Sequence, residues 1–118
     1  MTASAYSLTI AVPSEGFTVT HGEPVIGGLH GEHQHFHCDY CKSWMFTKPH
    51  QMDFFVNVRA TMLDQHTWFS PFVETACAEG FAWAKTGATY SYPDIPSSDV
   101  YPELLAAFRD KGPRPQST

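Results

Sequence analysis

Cysteine and histidine crowd into one short stretch of this chain. Cys38 and Cys41 are two residues apart, and His21, His30, His33, His35 and His37 precede them, leaving only His50 and His66 elsewhere. A C-x-x-C spacing puts two thiolates on one tight turn, where they can share a metal ion or form a redox pair. In an extended strand His33, His35 and His37 project to one face, because side chains alternate with period two. Three imidazoles beside two thiols make a soft-metal environment; as a separate reading, His33, His35 and His37 alone form a triad that could hold zinc, iron or manganese with an open position. Set against that, the three histidines read as a solvated polar face opposite Gln34 and Phe36. The third cysteine, Cys77, stands alone and reads as a small buried hydrophobe.

The elements that must position these residues are short. Nine prolines and eight glycines punctuate the 118-residue chain and disfavour long helices. Tyr6 to Val12 predicts a strand, Pro13 to Gly16 a turn, and Phe17 to Thr20 a returning strand. Val25-Ile26 is a further short apolar piece. His33 to His37 runs into the cysteines and Ser43 to Thr47 runs out, which predicts a hairpin with Cys38 and Cys41 at its tip. A thioredoxin-like redox pair needs a helix after the motif, and the residues that follow this one predict a strand. Phe54 to Arg59 is the best strand by propensity. Thr75 to Trp83 is ambiguous. The one clear helix is Tyr101 to Lys111, with Ser98 or Asp99 as cap, Pro102 in the first turn, and Leu104, Leu105 and Phe108 on one face. The fold class expected is therefore mainly β, with short antiparallel strands and hairpins and one C-terminal α-helix. Residues 1–110 are expected to form a single domain, and 111–118 a flexible, proline-rich tail.

Composition narrows the function classes. Twelve acidic residues against seven Lys and Arg give a formal net charge of −5, which argues against nucleic acid or an anionic membrane as partner. No apolar run approaches a membrane span and no signal-peptide pattern opens the chain, so a soluble cytoplasmic protein is expected. Three cysteines do not make a disulfide framework. No nucleophile elbow, phosphate-binding loop, H-E-x-x-H or dinucleotide fingerprint occurs. Trp44, Phe46, Phe54, Phe55, Trp68, Phe69, Phe72, Phe81 and Trp83 are expected to form core. Trp44, Asn57 and Arg59 are candidates to line a pocket, with a structural ion pair to Asp64 or Glu74 as the other reading of Arg59.

The run H-F-H-C-D-Y-C-K-S-W-M-F-T (His35 to Thr47), followed by F-V-N-V-R-A-T-M-L-D (Phe55 to Asp64), resembles the glutathione-dependent formaldehyde-activating enzyme family, also called the centromere protein V family. P-F-V-E (Pro71 to Glu74), F-A-W-A (Phe81 to Ala84), A-Y-S-L-T-I-A-V-P and G-E-P-V-I-G-G-L-H-G fit the same pattern, so the resemblance covers about Ala3 to Phe108. It implies a β-rich zinc-binding fold and carbon–sulfur lyase chemistry on thiol adducts, with S-hydroxymethylglutathione as namesake substrate. It also implies two zinc sites. A structural ion takes an N-terminal C-x-C and a later C-x-x-C; a catalytic-type ion takes three cysteines of a C-x-C-x-x-C segment. By position Cys38 and Cys41 match the second half of the structural site.

No cysteine precedes Cys38, so the catalytic-type ligands have no counterpart in these residues. Met1 to Tyr6 resembles a segment that follows the catalytic cysteines in longer members. The expectation is an N-terminally truncated or degenerate member, inactive as it stands, with no catalytic residue of its own. The alternative is a non-catalytic, self-associating binding module on the same scaffold, forming a homo-oligomer. Glutathione or another small thiol adduct is the partner implied. Zinc occupancy is expected to be partial or nil, with His35 and His30 as auxiliary ligands to Cys38 and Cys41.

Overall fold

A computed structural model describes residues 4–28 and 31–115. The chain divides into two units, Ser7–Asp64 and, in the other, Ser4–Tyr6 together with the residues from Gln65 onward. The protein is mainly β with one C-terminal helix, as the strand propensities and the lone helical pattern predict. No helix among the described residues is long and apolar enough to cross a membrane.

The first unit is a five-stranded antiparallel sheet. Its strands are β1 (Thr9–Pro13), β2 (Val25–Gly27), β3 (Gln34–His37), β4 (Trp44–Lys48) and β5 (Phe55–Arg59), in the order β1-β5-β4-β3-β2. Strands β2 to β5 form a meander, and β1 closes the far edge against β5. Residues directly opposite share a face, so the register sorts side chains into rows. One row is Ile10, Val58, Phe46, Phe36 and Ile26; the neighbouring row is Ala11, Asn57, Thr47, His35 and Gly27. The sheet thus has one apolar and one largely polar face.

The apolar face carries the core of this unit. Val56 and Phe46 are buried. Phe36 stacks on Phe46 with ring centres 4.8 Å apart, and Phe17 meets Phe46 edge-on at 4.9 Å. Phe17 to Thr20 is therefore not the returning strand that its alternation predicts. β5 offers β1 a full register, with Ile10 against Val58 and Val12 against Val56. The chain after Gly16 instead lays Phe17 on Phe46 and crosses to the opposite edge as β2. Pro13 lies at the end of an edge strand, where its missing N–H costs no ladder bond.

The second unit is irregular. Its two short strands, β6 (Val73–Glu74) and β7 (Tyr90–Ser91), pair in parallel, so this pair departs from the antiparallel expectation. Glu74 organises it: the hydroxyls of Thr86 and Ser91 and the Thr86 N–H all donate to its carboxylate. The ambiguous segment contains a single 3₁₀ turn at Cys77–Glu79. Cys77 is exposed there, contrary to the buried small hydrophobe expected, and its thiol is a further hydrogen-bond partner of the Glu74 carboxylate.

The helix α1 spans Tyr101–Lys111 with Pro102 in its first turn, as the sequence predicts. Neither Ser98 nor Asp99 caps it. Those residues form a 3₁₀ turn (Ser98–Val100) leading into α1, and the Ser97 hydroxyl bonds to the Asp99 carboxylate. Only Leu104 is buried; Leu105 is exposed, since the inward stripe is set by Leu104 and by Phe108, which meets Phe72 edge-on. After α1 the Arg114 guanidinium lies over Phe108 and donates to the Phe108 and Arg109 carbonyls, closing the helix C-terminus. The aromatic core is smaller than expected: Phe54, Phe81 and Trp83 are exposed, since no strand row or helix stripe carries them inward.

The hydrogen bonds from Ser91 and Thr86 hold the Glu74 carboxyl below its ordinary value of 4.5. A depressed carboxyl stabilises the fold above its unfolded pKa and loses that contribution as pH falls through the folded one. Glu74→Gln is expected to lower the urea midpoint at neutral pH and to flatten its decline below about pH 4.5. Parallel declines in the two proteins would show that these bonds do not discriminate the charged form.

Candidate functional site

The β3–β4 hairpin carries both thiols at its tip, as the sequence predicts. Backbone bonds define the turn: Cys38 N–H donates to Ser43 O at 2.9 Å, and Lys42 N–H donates to Cys38 O at 2.8 Å. Closing it puts Lys42 in the left-handed region at φ 62°, a conformation that costs a residue with a side chain about 1–2 kcal/mol. Lys42 Nζ also meets Asp39 Oδ1 at 2.9 Å, an exposed pair of little energetic weight. Cys38 is half-buried and Cys41 exposed, and neither is in a disulfide.

The turn favours ionisation of one thiol. Cys41 Sγ lies 3.2 Å from Ser43 Oγ, so the hydroxyl can donate to a thiolate. Bonds from the Ser43 side chain, the Ser43 backbone and the Cys38 thiol, in that order, lower the Cys41 pKa below its ordinary value. The thiolate is the form that binds metal and attacks electrophiles. Ser43 was not singled out by sequence reasoning, although a hydroxyl two residues beyond the second cysteine is the signal that could have found it.

The histidines do not act as one triad. His35 is buried, with 8% of its surface exposed, and its Nδ1 lies 2.7 Å from the Oγ1 of Thr47, which is 6% exposed. Trp44 Nε1–H donates to the same oxygen at 2.9 Å. His33 Nδ1 instead accepts the His50 backbone N–H, and His37 Nδ1 sits 3.2 Å from the His35 carbonyl oxygen. The His37 ring crosses over Gly27, where a Cβ would approach its Nδ1 to 2.9 Å. Among the described residues, no three His, Cys, Asp or Glu side chains converge as a metal site. The structure therefore does not gather His35 with Cys38 and Cys41, because its ring is turned into the sheet toward Thr47. His30, the other auxiliary candidate, lies outside the described residues.

A one-residue irregularity aims the polar face. Phe36 pairs with Phe46 but His37 pairs with Trp44, so Met45 is an extra residue in β4. This bulge moves Trp44 onto the face of His37, His35 and Thr47, whereas strict alternation would put it with Phe46. There the Trp44 ring meets His35 edge-on at 5.3 Å and carries the Arg59 guanidinium 4.4 Å above it. Arg59 is thus held by a cation–π contact, and no ion pair with Asp64 or Glu74 is present among the described residues. Its Nη1 is buried with no hydrogen-bond partner, and burial lowers the guanidinium pKa.

Together these features define a mainly β protein with a dithiol turn on a hairpin tip and a separate, internally bonded His–Thr–Trp–Arg cluster on the sheet. No family model, no curated protein and no solved structure matches the chain.

Two measurements separate the clusters. Thr47→Val leaves Trp44 Nε1–H and His35 Nδ1 without their shared hydroxyl. It is expected to cost about 1–3 kcal/mol in urea unfolding; an unchanged midpoint would mean that solvent replaces the bond. Iodoacetamide modification of Cys41, followed by peptide mass against pH, is expected to show a midpoint below that of an ordinary thiol. Ser43→Ala should move that midpoint upward, and equal midpoints would remove Ser43 as the cause.

Proposed function

We propose that this chain is a cytoplasmic member of the zinc-dependent glutathione-dependent formaldehyde-activating enzyme family, in which Cys38 and Cys41 are one pair of ligands to a structural zinc ion. The observation that carries this reading is the hairpin tip: two thiols on one turn, with Cys41 biased toward the thiolate. Zinc is met by soft sulfur ligands, and a C-x-x-C turn supplies two of the four that a structural ion takes. When bound, the ion would tie the two ends of the turn and cross-link them to further ligands. The family's chemistry on glutathione adducts requires three additional thiolates around an open zinc. Beyond the hairpin pair these 118 residues hold only Cys77, so they do not supply that Lewis acid.

The second reading is a non-catalytic module that associates with itself. It is supported by stacked aromatic rings turned outward. Phe81 and Trp83 are 60% and 76% exposed, with ring centres 5.1 Å apart. Contiguous exposed apolar surface of this kind favours a covering partner.

Incubation of the 118-residue protein with zinc, formaldehyde and glutathione is expected to give no turnover of S-hydroxymethylglutathione above the uncatalysed rate. Elemental analysis after dialysis is expected to find less than one zinc per chain, lost in Cys38→Ser. Zinc-dependent turnover would overturn the non-catalytic assignment, and zinc that survives Cys38→Ser would overturn the ligand assignment.

A further inference from the structure

We infer that the polar face of the five-stranded sheet binds a small organic carboxylate, with Arg59 and Asn57 as its donors and the Trp44 ring as its wall. The inference stands apart from the zinc reading, since it uses no cysteine.

Its starting point is a cation without a counter-charge. Arg59 Nη1 is buried with no hydrogen-bond partner. A guanidinium keeps its charge at any working pH, so burial has withdrawn water from a cation and put no acceptor in its place. The Trp44 ring, 4.4 Å from the guanidinium carbon, attracts the charge but takes none of its N–H bonds. None of the strands β1 to β5 contains Asp or Glu, so the sheet has no carboxylate of its own to offer. The other two Lys or Arg residues of this unit are engaged elsewhere. Lys42 pairs with Asp39 on the hairpin tip, and Lys48 Nζ lies 5.5 Å from the centre of the Phe36 ring, on the apolar face.

A second donor stands beside the first. Asn57 is two residues before Arg59 on β5, so the two share a face and lie roughly 7 Å apart along it. Asn57 is half-buried, and its amide makes no hydrogen bond among the described residues. Its register partner Thr47 is taken, because that hydroxyl already serves Trp44 and His35. On the other side of β5, Thr9 and Ala11 stand opposite Arg59 and Asn57. Both are short and exposed, so the face is low and open to solvent toward β1. Toward β4 it is bounded by Trp44, which the bulge has brought to this side. The result is a shallow step with two unmet donors on its floor.

The chemistry of the step selects the ligand class. A carboxylate presents two oxygens in one plane, which can accept from the guanidinium edge and from the Asn57 amide. It supplies both the acceptor and the charge that Arg59 lacks. One cation balances one negative charge, and the chain's formal net charge of −5 opposes a dianion. The backbone N–H groups of β5 are spent on the ladders to β1 and β4, so none remains for the additional oxygens of a phosphate. Two side-chain contacts on an open face give millimolar affinity.

Titration of the intact 118-residue chain with acetate at constant ionic strength tests this, with the Arg59 Nε–H and Asn57 side-chain amide followed by nuclear magnetic resonance. The expected result is a saturable shift of both resonances in the millimolar range, and none with acetamide, which has the shape without the charge. Arg59→Lys keeps the charge but loses the fork, and is expected to weaken binding about tenfold, read at Asn57. Asn57→Ala is expected to weaken it about fivefold, read at Arg59. The acetate and acetamide comparison on the unsubstituted protein needs no variant to fold. Absence of a saturable shift at Arg59 would overturn the site, as would equal shifts with acetamide. Undiminished binding in both variants would place the anion elsewhere and overturn it too. Sulfate binding more tightly than acetate through the same residues would overturn the carboxylate class. Each of these outcomes is independent of zinc at the hairpin tip, so failure here and failure of the zinc reading are distinguishable.

Discussion

The register of the β3–β4 hairpin is the constraint on which the rest of the first unit depends. Met45 is inserted in β4 without a counterpart in β3. Below the insertion, Phe36 and Phe46 meet on the apolar face; above it, Trp44 turns toward His37. A hairpin without the extra residue would carry Trp44 beside Phe46, leaving His35, Thr47 and Arg59 without the indole that joins them. The same strands end in the turn that fixes the thiols. One offset therefore sets the core row, the polar cluster and the dithiol tip.

Two groups of chemically capable residues lie along β3, and the physics separates them. His35 is buried and bonded within the sheet, where Thr47 serves both its Nδ1 and the Trp44 N–H. Buried polar groups joined in this way fix one arrangement, since loss of any member exposes another to the cost of an unmet bond. The cysteines have the opposite character. Cys41 is exposed and Cys38 half-buried, and the Ser43 hydroxyl favours the anion of Cys41. The hairpin thus buries His35 within the sheet and leaves the Cys41 thiol accessible.

The second unit is held by side-chain hydrogen bonds as much as by packing. β6 and β7 are two residues long each and could not form a ladder without support. Glu74 supplies that support by drawing in Thr86 and Ser91, while Phe72 contacts both Tyr90 and Phe108. A carboxylate organising a loop-rich region makes its order sensitive to acid. The exposed Phe81 and Trp83 belong to this unit and lie outside any regular element.

The sequence by itself determined the local features. Strand propensity placed β5, the apolar stripe and Pro102 placed α1, and the C-x-x-C between two short extended runs placed the thiols on a hairpin tip. Each of these depends on neighbours a few residues apart. Tertiary structure decided what depends on distant pairing. Phe17 to Thr20 carries a strand-like alternation, yet β1 pairs with β5 because only β5 aligns two aliphatic residues with Ile10 and Val12. Three histidines at alternate positions share a face in any strand, but their partners separate them: Thr47 holds His35, and the His50 backbone holds His33. Arg59 found the Trp44 ring, not a carboxylate, because a bulge that alternation does not reveal turned that ring across the sheet. Periodicity records which residues can share a face; register, set by long-range pairing, decides which of them meet.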